Sequence, residues 1–250
     1  MTDKIILQTL ALSKQFKGFI AVDDVNLEIR RGTIHGLIGP NGAGKTTVFN
    51  LLTRFLKPSA GRILFNGRDI TRAKPADVAC RGLVRSFQIS ATFPHLNALE
   101  NVRLGLQHET GAGLHFWRSE ACLERLNERA LELLALVGLE DAAQTPAAEL
   151  PYGMKRGLEI ATTLALDPEL MLLDEPTQGM GHDDVGRVSE LIRRAAAERT
   201  ILMVEHNLSV VADLCDRITV LQRGAILAEG SYDEMAADPA VREAYMGSAA

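Results

Sequence analysis

Ile34-His-Gly-Leu-Ile-Gly-Pro-Asn-Gly-Ala-Gly-Lys-Thr-Thr47 decides how the rest of this 250-residue chain is read. The apolar run Ile34–Ile38 reads as a buried strand. Gly39, Pro40, Asn41, Gly42, Ala43, Gly44, Lys45 and Thr46 then fit the phosphate-loop spacing G-x-x-x-x-G-K-[ST] without a gap. Val48, Leu51 and Leu52 recur at helical spacing, so the loop opens a helix. That order matters physically. Glycines let backbone N–H groups curl around phosphate oxygens, and the new helix aims its positive end at the same anion. On this reading Gly39 to Thr47 cradle a nucleoside triphosphate. Lys45 reaches its β- and γ-phosphates, and the Thr46 hydroxyl binds Mg2+. A glycine-rich turn matching by chance has no need of a strand before it and a helix after it.

Composition narrows the class further. Hydrophobic content of 46% and charged content of 24% are ordinary for a globular chain, and 250 residues suffice for one large α/β domain with a smaller lobe. The net charge of −5, with no lysine- or arginine-rich block, argues against nucleic acid or an anionic membrane surface as the main partner. Cys80, Cys122 and Cys215 are far apart without metal-ligand spacing, and are expected as reduced thiols. The first residues, Met-Thr-Asp-Lys, lack the basic-then-apolar pattern of a signal peptide, and no apolar run approaches the roughly 20 residues that cross a bilayer.

Upstream of the loop, Ile5, Leu7, Val25, Leu27 and Ile29 sit in short alternating runs, and Gly61–Phe65 adds a further strand ending at the Asn66-Gly67 turn. Together they predict an antiparallel layer flanking a parallel core. Phe16, between Lys14 and Lys17, reads either as a packed aromatic or as a face on which a purine stacks. Val84–Phe87 reads as a short buried strand ending at Gln88. From about residue 97 to 167 the pattern turns helical, with Leu123, Leu126, Ala130, Leu133, Leu134 and Val137 on one face of a helix over 119–137. Trp117 reads as a partly buried hydrophobe or an interface anchor. Strand-like Leu170–Leu173, Thr200–Val204 and Ile218–Leu221 follow, with a helix over 185–197 between the first two. Such alternation predicts a parallel sheet with helices on both faces. The expected lobes are 1–89 plus 166–250 as a core and 90–165 as an inserted helical subdomain.

Two strand ends carry further chemistry. Leu170-Met-Leu-Leu-Asp174-Glu175 places two carboxylates at the C-terminal edge of a sheet beside a phosphate loop. Asp174 would hold Mg2+ through its water shell, and Glu175 would orient and deprotonate an attacking water. An acidic strand-to-helix turn is the plain alternative, since carboxylates favour helix starts. Thr200-Ile-Leu-Met-Val-Glu205-His206 ends on the same edge, where His206 would donate to the γ-phosphate.

In this order and at these distances, the phosphate loop, Gln88, Asp174-Glu175 and His206 resemble the nucleotide-binding subunit of an ABC transporter, from about residue 5 to the C-terminus. Leu150-Pro-Tyr-Gly-Met-Lys-Arg-Gly-Leu-Glu159 occupies the place of the family's signature motif. Gly18-Phe-Ile-Ala-Val22, Val84–Gln88, Glu100-Asn101, the long segment 107–120 and Asp238–Gly247 are similar to the branched-chain amino-acid-type importers, specifically the subunit with a Tyr in its signature. The resemblance implies an α/β phosphate-loop fold and an ATPase using ATP and Mg2+. It implies a peripheral place on the cytoplasmic face of the inner membrane, docked on a permease fed by a periplasmic binding protein. Gln88 is then a metal-side and catalytic glutamine whose loop, with the helical lobe, touches the permease. ATP would be sandwiched between two such subunits, a different chain or a second copy, with Pro151, Tyr152, Gly153 and Met154 facing the partner's nucleotide.

The chain departs from the pattern twice. The common signature is Leu-Ser-Gly-Gly-Gln, and Pro151 supplies neither the hydroxyl nor the N–H of that Ser. Gly181 stands where the family usually keeps Asp. Two other classes remain in view: an ABC ATPase outside import, such as an exporter subunit, and a non-catalytic nucleotide sensor. An intact Glu175 speaks against the sensor, and a single phosphate loop without a basic surface speaks against tandem translation or repair factors.

Overall fold

A computed structural model describes residues 4–86, 92–107 and 125–246. The chain divides into two compact units, Met1–Arg85 with Glu169–Pro176 and Ala196–Ala250, and Ser86–Pro168 with Thr177–Ala195. The second takes in 177–195, which the sequence reading kept with the core lobe.

The first unit holds both sheets. Strands β1 (Ile5–Phe16), β2 (Phe19–Val25), β3 (Glu28–Arg30), β5 (Ala60–Phe65) and β6 (Arg68–Asp69) form an antiparallel sheet in the order β2-β1-β5-β6, with β3 also on β1. Strands β4 (Ile34–Ile38), β7 (Leu83–Arg85), β8 (Leu170–Asp174), β9 (Thr200–Val204), β10 (Arg217–Gln222) and β11 (Ala225–Gly230) form the second, in the order β11-β10-β4-β9-β8-β7. Its pairings are parallel except the β10–β11 hairpin. Every residue of β4 and β9 is buried, which is why these strands read as unbroken apolar runs. β11 escaped the sequence reading because its residues are mostly half-buried and do not alternate.

Helix α1 (Lys45–Leu52) buries Val48, Phe49, Leu51 and Leu52 in a core shared with Leu7, Leu27, Ile29, Leu37, Ile63 and Leu172. Each such side chain contributes roughly 1.5–3 kcal/mol of transfer free energy. The short α2 (Pro75–Cys80) precedes β7. The expected strand over 84–87 is shifted: β7 begins at Leu83, and Ser86 has already left it. After β9 come α7 (Leu208–Leu214), α8 (Tyr232–Ala237) and α9 (Pro239–Met246).

The second unit is helical, with α3 (Ala98–Leu106), α4 (Asn127–Leu136), α5 (Tyr152–Leu164) and α6 (His182–Ala196). An Asn97–Glu100 capping box starts α3. Gly105 lets α3 approach α5, since a Cβ there would lie 2.8 Å from the Cβ of Ala165. The helix expected over 119–137 is shorter among the described residues. Arg125 and Leu126 form a turn, and α4 begins at Asn127, burying Ala130, Leu133 and Leu134 as the pattern required. Its proposed start at Ser119, together with Trp117 and Cys122, lies outside the described residues.

Candidate active site

Strand register assembles this site. Leu37 pairs with Val204, and Val204 pairs with Asp174, so the ends of β4, β9 and β8 are level. The residues that follow each strand, namely the Gly39 loop, Glu175 and Glu205-His206, therefore emerge on one edge of one sheet. β4 lies between β9 and β10, a switch point where open α/β sheets bind ligands.

The loop is glycine-dependent for a steric reason. Gly39 has φ 148°, and a Cβ there would lie 2.2 Å from the carbonyl oxygen of Leu221. Gly44 ends the loop as the N-cap of α1 and supplies no side-chain cap, which leaves the helix's first N–H groups to an external acceptor. Thr46 is exposed and Thr47 half-buried on the first turn. The Lys45 ammonium is buried and donates to the loop's own carbonyls, Gly39 at 2.7 Å and Pro40 at 3.1 Å. Burial lowers its pKa, while Glu175 and Asp174 pull the other way. Lys45 is thus a cation in the field of two carboxylates, at the mouth of the glycine loop.

At the end of β8, Asp174 Oδ2 accepts from Arg85 Nη2 at 2.5 Å. Glu175 sits at φ 48°, a left-handed conformation that costs a non-glycine residue about 1 kcal/mol. Its N–H donates to Val204 O at 2.9 Å, and its Oε1 lies 2.7 Å from His206 Nε2. Glu205, 3% exposed, accepts the backbone N–H groups of His206 and Asn207 at 3.0 and 3.3 Å and so fixes the backbone carrying His206.

The β1–β2 hairpin is tied to the loop through Gly224, which donates to Ala43 O and accepts from Asp23 N–H. Phe16 ends β1 on this hairpin, 40% exposed, with Lys14 Nζ 4.9 Å from its ring centroid. Phe19 and Ile20 beside it are also exposed. Gln88 lies outside the described residues.

The signature stretch belongs to the second unit. Pro151 is the N-cap of α5, and its carbonyl accepts from Lys155 N–H at 2.9 Å. Tyr152 donates its hydroxyl to Gln178 O at 3.0 Å, Gly153 lies beside the Asp184 carboxylate, and Met154 is exposed. With Val137, Leu139 and residues of α6 they line a groove of about 630 Å³.

Three features went unread in the sequence: the Arg85 bridge, the Glu205 brace and Tyr245 of α9, whose hydroxyl hydrogen-bonds the Gly39 backbone while burial holds its pKa up at about 12. Arg85 alone carried a signal, as the one charge in the stretch Val84-Arg-Ser-Phe87.

Comparison with known proteins bears on this arrangement. The profile of the ABC transporter family matches residues 22–178. The chain belongs to that family. It is the ATPase component, an ATP-binding cassette, and a second profile, of the branched-chain amino acid ATP-binding cassette transporter, matches its residues 225–250. The cassette is 37% identical to the high-affinity branched-chain amino acid transport ATP-binding protein LivG of Escherichia coli K12, over 98% of both chains. Its fold is similar to the ADP conformation of MJ1267, an ATP-binding cassette of an ABC transporter, with TM-score 0.85 and 29% identity over 98% of this chain and 100% of that one. It is also similar to the dimeric structure of MJ0796, a bacterial ABC transporter cassette, with TM-score 0.75 and 26% identity over 90% and 98%. Among the described residues, no helix is long and apolar enough to cross a membrane.

Proposed function

We propose that this cassette binds and hydrolyses Mg-ATP to energise uptake of branched-chain amino acids, or a related small solute, through a membrane permease. The observation that carries the solute class is the match of residues 225–250, added to a likeness to LivG over nearly the whole of both chains. In this reading the cassette works from the cytoplasmic face of the inner membrane, and a periplasmic binding protein feeds the permease. Nucleic acid has no part in it.

The residues present fit Mg-ATP. Gly39 admits no Cβ, which would meet the Leu221 carbonyl oxygen at 2.2 Å, so the loop keeps its tight curl, and α1 opens without a side-chain cap, leaving its first N–H groups for an anion. The Thr46 hydroxyl and the Asp174 carboxylate are hard oxygen donors of the kind Mg2+ takes alongside phosphate oxygens. When bound, Mg2+ would supply positive charge to offset the negative charge that develops as the phosphoryl group is transferred. The chain's own groups do the rest. Lys45 exchanges the carbonyls of Gly39 and Pro40 for phosphate. Glu175 takes the proton of the attacking water, and His206, whose Nε2 lies 2.7 Å from Glu175, turns its N–H from that carboxylate towards the γ-phosphate. Gln88 serves the same metal and water, and Phe16 offers its exposed face to the purine.

In this reading Pro151, Tyr152, Gly153 and Met154 meet the nucleotide of a second cassette; that a similar cassette, MJ0796, has a dimeric structure supports the pairing of two cassettes. Pro151 brings no donor, so two hydrogen bonds to a charged group are absent, each worth about 1.5–3 kcal/mol. The reading is therefore a heterodimer in which this chain's loop, Asp174, Glu175 and His206 pair with another subunit's intact signature. The purified Glu175→Gln variant tests both parts. It should bind Mg-ATP with turnover at background, and its solution mass should stay that of one chain with nucleotide present. Hydrolysis at the wild-type rate sinks the base assignment, and a doubled mass shows that the Pro151 signature closes a homodimer.

A further inference from the structure

The Arg85 side chain has a place that the reading of Mg-ATP does not use. Arg85 ends β7, pairs with Leu172 of β8, and so shares a sheet face with Asp174 two residues on. Its guanidinium spans two elements. Nη2 donates to Asp174 Oδ2 at 2.5 Å, and Nη1 donates to Asn50 Oδ1 of α1 at 2.6 Å. Its carbon lies 5.8 Å from the ring centroid of Phe49, the residue before Asn50. Asn50 is four residues after Thr46, hence one turn along the same face of α1. One planar fork therefore ties the strand end bearing Asp174 to the helix bearing Thr46.

We propose that Arg85 is the positioning residue of the metal-holding pair, setting the Asp174 carboxylate at a fixed distance and orientation from the first turn of α1. The inference rests on the assignment of Asp174 and Thr46 to Mg2+. Its chemical basis is the difference between a guanidinium and an ammonium. Arg presents several donors in a rigid plane and reaches both partners at once, whereas Lys brings a single point charge. The Arg85 and Asp174 side chains are 16% and 13% exposed, so the pair is sheltered beyond an ordinary surface ion pair. Groups that orient a metal ligand typically govern metal affinity by about 10–100-fold.

The test uses the full chain loaded with a non-hydrolysable ATP analogue, with Mn2+ affinity read by electron paramagnetic resonance. Analogue affinity in EDTA and the denaturation midpoint are measured beside it. Arg85→Gln should weaken Mn2+ by about 10-fold and leave analogue binding in EDTA within about twofold. Arg85→Lys should recover only part of the loss. Asn50→Ala, which keeps the ion pair and removes the other anchor, should weaken Mn2+ by a few-fold. The double variant Arg85→Gln/Asp174→Asn should be no weaker than Asp174→Asn alone, because the two act through one carboxylate. If Asp174→Asn weakens Mn2+ while Arg85→Gln and Asn50→Ala leave it unchanged, Arg85 is a structural ion pair and the proposal falls by itself. If Asp174→Asn also leaves Mn2+ unchanged, the assignment beneath it falls too.

Discussion

Gly39 and Glu175 both hold positive φ angles, the first because nothing else fits and the second in spite of its side chain. At Gly39, φ 148° and the Leu221 carbonyl act together, since a Cβ would meet that oxygen at 2.2 Å and backbone cannot move aside cheaply. At Gly42 the φ of 78° is also left-handed, but a Cβ would meet nothing within 4 Å. Gly42→Ala should therefore cost only the conformational strain, about 1 kcal/mol. Gly39→Ala should cost about 3 kcal/mol or more and abolish ATP binding, because the loop must unfold locally to admit the methyl group. Urea denaturation midpoints with nucleotide titrations of the two variants check this, and equal losses would refute the steric account. Glu175 keeps its strained angle while its carboxylate faces His206, a conflict of local preference and geometry of the kind found at working sites.

Local chemistry also explains which elements could be read beforehand. β4, β8 and β9 were legible because burial on both faces writes an apolar run, and the loop was legible because its glycines answer a steric demand made within a few residues. The meeting of Asn50, Arg85 and Asp174 was not, since three distant stretches come together only when sheet order and register are known. Helix α6 shows the same limit. It was expected from Val185, yet it runs from His182, with Gly181 O accepting from Val185 N–H at 3.0 Å. Gly181 thus stands at the N-cap. A Cβ there meets nothing within 4 Å, and its φ is outside the left-handed region. Gly181→Asp should stabilise the helix by about 0.5 kcal/mol, through an added cap acceptor offset by the Asp184 charge in the first turn. A rise of the thermal midpoint checks it, and a fall would mean that the glycine is kept for its backbone freedom.

For the whole molecule, the buried charge inventory sets how stability follows pH. His35 lies in the central strand β4, fully buried, with Nε2 2.7 Å from Thr219 Oγ1. Burial, reinforced by Arg217 and opposed by Glu229, lowers its pKa from 6.5 to about 4. The folded protein therefore holds His35 neutral between those values while the unfolded chain takes up a proton. Stability then rises with pH across that window and is lost as pH falls from about 6.5 towards 4. A shift of this size corresponds to about 3 kcal/mol in full, and about 2 kcal/mol of it should disappear between pH 7 and pH 5. Glu159 works in the opposite sense, since burial raises its carboxyl pKa against the pull of Arg156. The lowered carboxyls of Asp69, Glu190 and Glu234 act mainly at lower pH. All four are common to the wild type and a His35→Gln variant, so the difference between the two isolates the imidazole. Urea unfolding at pH 7 and pH 5 should show the variant losing about 2 kcal/mol less than the wild type on acidification. Parallel losses in both would mean that His35 takes up its proton without leaving the sheet, and that acid sensitivity arises among the carboxylates instead.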